Sequence, residues 1–295
     1  MSGLSGILVI DKPAGKTSHD MVNFVRRVTG IKKVGHTGTL DPEATGVLPI
    51  LIGKATKLSE VLICDDKEYE TTFIYGKRTD TQDATGNILS IDDDEFDEHD
   101  IILSINKFIG EIDQMPPMYS AIKKDGKKLY ELARKGIMVE REYRRVKIHD
   151  IDIIDIDTDN KRVRMNVSCS KGTYIRTLCA DIGDEIGTGA YMETLRRTKS
   201  GCFTIQYSYT PEEIEQIAKA DCLKDYILPM EDVFSDLEKV VLDDFLTAKY
   251  KNGIKIRRKG LIKDDYYLVY GTDNELLGIS QYNGEELVMW KSLWS

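Results

Sequence analysis

The chain opens on an unbroken apolar run. "GILVIDKP" (residues 6–13) has no alternation and is stopped by Pro13, so it reads as a buried strand. The spacing then becomes helical. Met21, Val25 and Val28 fall on one face between Ser18, a candidate N-cap, and Gly30, a candidate C-cap. "VLPILIG" (47–53) is a second strand-sized apolar run, and "ATKLSEVLIC" (55–64) predicts a short helix. In "KEYETTFIYG" (67–76) the period is two: Tyr69, Thr71, Phe73 and Tyr75 share one side, which predicts a strand with a buried aromatic face.

Further along, Ile101, Ile102, Ile105 and Phe108 mark an amphipathic helix, and the acids before it suit its N-terminal dipole. "RRVKIHDIDIID" (144–155) and "KRVRMNVSCS" (161–170) alternate as two strands. "KGTYIRTLCADIGDEIG" (171–187) predicts a helix capped by Thr173 and closed by Gly187, "LRRTKSGCFTI" (195–205) a strand, and "PEEIEQIAK" (211–219) a helix. Strands cluster and interleave irregularly with helices, so the expected class is α+β: a mixed, largely antiparallel sheet flanked by helices. From about Ser235 the texture changes. One short helix, "DDFLTAKYKNG" (243–253), is followed by short strands around turns such as "GTDNELLG" and "QYNGEEL". A small, separate β-rich module of about 60 residues is expected there, a size at which independent folding is marginal.

Composition narrows the class. The 295 residues are 41% hydrophobic and 31% charged. No apolar run approaches the ~18 residues that a membrane-spanning helix requires. The first residues carry no basic lead and no small-residue cleavage site, so a cytoplasmic protein is expected. Cys64, Cys169, Cys179, Cys202 and Cys222 are odd in number and lack CxxC spacing, so reduced, buried thiols are expected rather than a disulfide framework or a zinc site.

The net charge of −9 argues against a nucleic-acid partner until its distribution is examined. "SIDDDEFDEHD" (90–100) holds seven acids and no Lys or Arg, whereas Met115–Lys147 holds ten Lys/Arg against four Asp/Glu, a net of +6. A solvated charged face explains any one cluster; segregation this marked weakens that reading without deciding between it and a basic binding face.

Candidate chemistry is sparse. "AGKTS" (14–18) resembles the end of a phosphate-binding loop, but Ile10 stands where the leading glycine belongs and Pro13 interrupts the cradle. More unusual is "GHTGTLDPEATG" (35–46), which lacks strand or helix periodicity and places Asp41 directly before Pro42. Alone it reads as an Asx-type turn with glycines at tight positions. Its company suggests more. Tyr69 lies on an aromatic strand face, and Arg176 lies in the first turns of a helix. A carboxylate nucleophile in a dry pocket needs a nearby cation to stay ionised. No second Asp or Glu sits in a comparable loop, so paired-carboxylate glycosidase chemistry is poorly supported.

Six segments occur in an order that resembles the TruB-type pseudouridine synthases: "KPAGKTSHDMV", "GHTGTLDPEATGVLPI", "KEYETTFIYGKRTDTQDATG", "MPPMYSAIKKDGKKLYELAR", "CSKGTYIRTLCADIG" and "LRRTKSGCF". The resemblance runs from about Gly6 to Asp232. It implies a catalytic pseudouridine-synthase domain over 1–232, with an RNA-clasping insertion at about 114–147, and a PUA-like RNA-binding domain over 235–295. It implies isomerisation of the tRNA T-loop uridine at position 55, without cofactor or metal. The partner is then the T-arm stem-loop of tRNA; no membrane partner is implied, and nothing demands more than a monomer.

Residue by residue, the resemblance makes Asp41 either the nucleophile or the group that assists departure of the base, Arg176 its ion-pair partner, and Tyr69 the side chain that would stack on the base, with its hydroxyl available for proton transfer. His36 would fill the place of the flipped base, and Tyr174 and Leu195 would line the pocket. Lys12, Pro13, Gly35, Gly38 and Pro42 would support the active-site loop, with Pro42 holding Asp41 extended. Lys123, Lys124, Lys127 and Lys128 would contact RNA phosphates. Glu43 departs from the small or apolar residue that the family pattern leads one to expect, and is expected to point outward. Two other readings stay open: a non-catalytic RNA-folding module on the same fold, and an enzyme acting on free nucleosides or carbohydrates.

Overall fold

The computed structural model describes residues 4–63, 66–124 and 126–294. The first apolar runs become β1 (Gly6–Lys12) and β3 (Thr45–Ile52), paired antiparallel. They are unbroken because both faces are covered. Leu8, Ile10, Leu48, Ile50 and Ile52 point into one apolar core, and Ile7, Val9, Val47 and Leu51 into another. Burying a Leu or Ile fully gains roughly 1.5–3 kcal/mol, so this two-sided insertion anchors the sheet.

Between them run α1 (Ser18–Thr29) and β2 (Val34–His36). Ser18 is not the cap. Thr17 caps α1 in a reciprocal box with Asp20, and Ser18 instead exchanges hydrogen bonds with Leu40, accepting from its N–H at 2.8 Å and donating to its carbonyl at 3.1 Å. Gly30 closes the helix in the left-handed conformation, as expected. Gly35 and His36, expected in loop, form the end of β2, which pairs with β3.

After α2 (Ser59–Leu62), β4 (Lys67–Tyr75) buries Tyr69, Thr71, Phe73 and Tyr75. The ribbon β5 (Lys77–Thr79) and β6 (Ile88–Ile91) follows, then α3 (Glu98–Asn106), capped by Asp97. β7 (Gly110–Gln114) leads into the insertion, where β8 (Lys123–Lys124) and β9 (Lys127–Lys128) form a small ribbon before α4 (Leu129–Ala133). β10 (Arg144–Asp157) and β11 (Arg162–Cys169) form the long hairpin. The helix α5 (Ile175–Ile186) has Tyr174 at its N-cap position with no side-chain cap; Thr173 donates to the Ser170 carbonyl instead. β12 (Ala190–Ser200) turns into β13 (Phe203–Thr204), so one expected strand is two, and α6 (Pro211–Lys219) follows.

The main sheet has the order β1-β3-β12-β4-β11-β10-β7, with β2 on β3 and β13 on β12. Only the short β12–β3 pairing is parallel. This is the mixed α+β architecture expected. The C-terminal part contains β14 (Glu238–Val241), α7 (Asp244–Lys251), β15 (Ile256–Arg257), β16 (Tyr266–Tyr270), β17 (Leu276–Tyr282) and β18 (Glu286–Ser292), in the sheet order β14-β16-β17-β18-β15. Its Leu268, Tyr270, Ile279 and Leu293 share one apolar layer with Ile7, Val9, Val47 and Leu51, so this sheet covers the back of β1 and β3. Among the cysteines, Cys169 and Cys179 are buried as expected but Cys202 and Cys222 are exposed, because they lie in turns; Cys64 lies outside the described residues.

Candidate active site

The 41–44 segment is a backbone turn: the Ala44 N–H donates to the Asp41 carbonyl at 3.1 Å, with Pro42 at the position where its fixed φ is favoured. The turn uses the Asp41 backbone and leaves its carboxylate free. Lys12, fully buried at the end of β1, holds this turn from below. Its ammonium donates to the carbonyls of Pro13 (2.8 Å), Lys16 (2.6 Å) and Pro42 (2.9 Å). Desolvation lowers its pKa to about 8, against the opposing pull of Glu43 and Asp41. Pro42 and Glu43 are exposed, so Glu43 does face outward.

The Asp41 carboxylate meets Arg176 of α5, with Nη2–Oδ2 at 3.1 Å and Nη2–Oδ1 at 3.3 Å. Arg176 is 5% exposed. The same Nη2 donates to the Tyr119 carbonyl at 2.7 Å, which fastens the insertion over the site. Nη1 reaches Asp83 at 3.5 Å, and the buried Nε has no partner among the described residues. Burial pushes the Asp41 carboxyl above the ordinary range; Arg176 opposes this, Asp83 adds to it and Lys12 opposes it.

Asp83 is a correction to the expectation that no second carboxylate sits in a comparable loop. It lies at the tip of the β5–β6 ribbon, where its Oδ1 accepts from the Thr81 hydroxyl (2.7 Å) and from the Thr85 N–H and hydroxyl (2.9 and 2.6 Å). The neighbouring Gln82 accepts from Thr177 of α5 at 2.8 Å, which docks the tip onto the helix that carries Arg176. Asp83 lies in the third of the six segments, but its contact with Arg176, 93 residues on, leaves no local signal.

Tyr69 is 9% exposed on β4. Burial raises its phenol pKa, and Arg197 counteracts that. Arg197 also escaped the sequence reading, where it stood only inside the segment "LRRTKSGCF". It is 1% exposed, donates from Nε to the Val47 carbonyl at 2.7 Å, and from Nη2 to the Gly38 carbonyl at 3.2 Å. Its backbone requires a glycine opposite. Gly46 has φ +100°, and a Cβ there would stand 2.2 Å from the Arg197 carbonyl oxygen.

His36 accepts the Gly38 N–H on Nδ1 at 3.2 Å, and burial, then Arg197 and His19, keep its pKa below the usual value, so the ring is neutral at pH 7. Tyr174 is clamped through its backbone by the Gln114 amide, at 2.8 and 3.1 Å. Leu195 pairs across the sheet with Thr71 and is half-buried. The four lysines are not at this centre. They occupy one ribbon, Lys123 opposite Lys128 and Lys124 opposite Lys127. Among the described residues no group of three or more His, Cys, Asp or Glu side chains is placed to hold a metal ion.

A half-exposed carboxylate, ion-paired to a buried arginine and flanked by a buried tyrosine, is the kind of perturbed charged cluster that marks a candidate enzyme centre. Family comparison agrees. Residues 26–175 match the TruB family pseudouridylate synthase N-terminal domain, and residues 176–235 the tRNA pseudouridylate synthase B C-terminal domain; the two meet inside α5. A tRNA pseudouridine synthase B of Clostridium tetani is 42% identical over 96% of this chain and 97% of its own, and one of Clostridioides difficile 45% identical over 95% and 96%. A chain of a solved Cbf5-Nop10-Gar1 complex superposes with TM-score 0.73 at 27% identity, covering 98% of this chain and 85% of its own. A chain of an H/ACA RNP bound to a substrate RNA gives 0.72 at 25%, with the same coverages. The chain belongs to the TruB family of pseudouridine synthases, and is an isomerase that converts uridine to pseudouridine.

Proposed function

We propose that this enzyme isomerises the T-loop uridine at position 55 of tRNA, acting in the cytoplasm as a monomer and using the Asp41 carboxylate without a cofactor. The observation that carries the reading is the Asp41–Arg176 pair: a carboxylate in a partly dry cleft, where burial raises its pKa and a 5%-exposed arginine draws it back down. In the reaction the C1′–N1 bond breaks, the uracil turns, and C1′ joins C5. Asp41 assists departure of the base, and Arg176 keeps it charged while doing so.

The target lies inside a folded loop, so it must leave the stack to reach Asp41. Tyr69 receives the flipped base and relays a proton through its hydroxyl. His36, neutral and held by Gly38, takes the vacated place, while Tyr174 and Leu195 line the pocket. The β8–β9 ribbon supports the RNA partner on physical grounds. Like charges directly opposite one another destabilise a strand pair, and phosphates relieve that cost. We read residues 235–295 as a second, PUA-like RNA-binding domain, because Phe245–Lys263 carries seven Lys/Arg and no acid.

The test is conversion of a T-arm stem-loop, read by carbodiimide labelling at unchanged mass. Modification confined to the uridine equivalent to position 55 is expected. Turnover of free uridine, or labelling spread over other uridines, would overturn the assignment.

A further inference from the structure

Two arginines approach the site, and only one has counter-ions. Arg176 lies against Asp41 and Asp83. Arg197 is more deeply buried, at 1% exposed, yet no Asp or Glu pairs with it among the described residues. Carbonyls of Val47 and Gly38 take two of its donors. A buried guanidinium held only by carbonyls is costly, and an apolar side chain of similar volume would be a cheaper structural filler. Its retention in the floor of an active site calls for a neighbour that uses the charge.

The sheet identifies that neighbour. In the antiparallel β12–β4 register Arg197 stands directly opposite Tyr69, so the two side chains are neighbours on the same face of the sheet. On the other side Arg197 is locked against Gly46 by the parallel β12–β3 pairing, so the guanidinium has little freedom to move. The other titratable groups that feel it are His36 and Lys12, and Tyr69 in turn feels Asp41. His36 is neutral, and Lys12 is turned to three carbonyls of its own. Tyr69 is the group left to profit from the cation. Burial drives its phenol up, and Arg197 is the largest opposing influence.

We propose that Arg197 is a positioning residue for Tyr69: its guanidinium orients the hydroxyl and stabilises the negative charge that gathers on that oxygen while a proton is in transit. The inference rests on the reading of Tyr69 as proton relay. In the isomerisation the C5–H bond breaks and an N1–H bond forms. Tyr69 gives its phenolic proton to N1 and takes the one from C5, so the side chain returns unchanged and nothing else is consumed.

The test is a double-mutant cycle in single-turnover conversion of the T-arm stem-loop, with wild type, Tyr69→Phe, Arg197→Gln and the double variant. Each single variant is expected to lose about 100-fold or more, the range of a positioned acid–base group, and the double variant to lose little beyond Tyr69→Phe. If Arg197→Gln costs the same factor in both backgrounds, Arg197 is a structural residue and the proposal falls. If Tyr69→Phe converts uridine at the wild-type rate, the relay reading fails first and takes the proposal with it. Should Arg197→Gln lack the circular dichroism of the wild type, Arg197→Lys replaces it in the cycle. That variant keeps a cation, and is expected to lose rate with Tyr69 present and to be silent in the phenylalanine background. An equal loss in both backgrounds would again overturn the proposal.

Discussion

The reaction centre and the β8–β9 ribbon both carry dense charge, and they handle it in opposite ways. At the centre every charge is held by protein. Asp41 and Asp83 share Arg176, Lys12 is wrapped by three carbonyls, and Arg197 is held by the carbonyls of Val47 and Gly38. On the ribbon four lysines face one another two by two, and Lys123, Lys124 and Lys127 are exposed. Among the described residues Lys124 donates to the Glu140 carbonyl and Lys128 lies close to Tyr130, while Lys123 and Lys127 make no hydrogen bond or ion pair through their side chains. The difference suits the two tasks proposed for these regions. Chemistry demands groups already in place before substrate arrives, whereas phosphate binding demands charge that is still hydrated and available.

The largest effect expected at the centre is that of Asp41→Asn, which removes the charge and keeps the shape. Single-turnover rate falls by on the order of 10⁴-fold or more while T-arm affinity holds. Arg176→Ala comes next, with a loss of about 10²–10³-fold, and it also moves the pH profile. The proposed mechanism requires Asp41 ionised, so activity is expected to be full above its pKa and lost as pH falls through it. That pKa is raised, so the acid limb lies above the ordinary carboxylate range, and removing the cation that opposes the shift moves the limb higher still.

The ribbon responds differently. Replacing Lys123, Lys124, Lys127 and Lys128 together by Ala leaves the rate at saturating RNA within a few-fold. It flattens the dependence of log affinity on log salt by about one for each lost phosphate contact. Smallest is Glu43→Ala, at under about twofold in rate, since surface substitutions away from buried contacts have little effect.

This contrast also explains what was legible in the sequence. β1 and β3 were readable because two-sided burial writes an unbroken apolar run, and β4 because one-sided packing writes alternation. The loop around Asp41 suggested more than a structural turn only beside Tyr69, Arg176 and the order of the six segments. Asp83 and Arg197 were missed because their roles come from pairing across the sheet and between loops, which leaves no local period. Arg197 stands next to the half-exposed Arg196, so the pair looked like a surface cluster. Helix starts slipped by one residue where a neighbour formed the stronger contact: Thr17 took the cap with Asp20, and Ser18 was left to hold Leu40.

The central claim is that Asp41, held by Arg176, acts on a base brought out of its loop onto Tyr69. A structure of the enzyme with a T-arm carrying 5-fluorouridine at the target position tests it most directly. The account predicts the fluorinated base unstacked against the Tyr69 ring, with the Asp41 carboxylate at about 3 Å from the ring or sugar, within reach for reaction. A base still stacked in the T-loop, or one bound with Asp41 turned away and Arg176 unpaired, would contradict it.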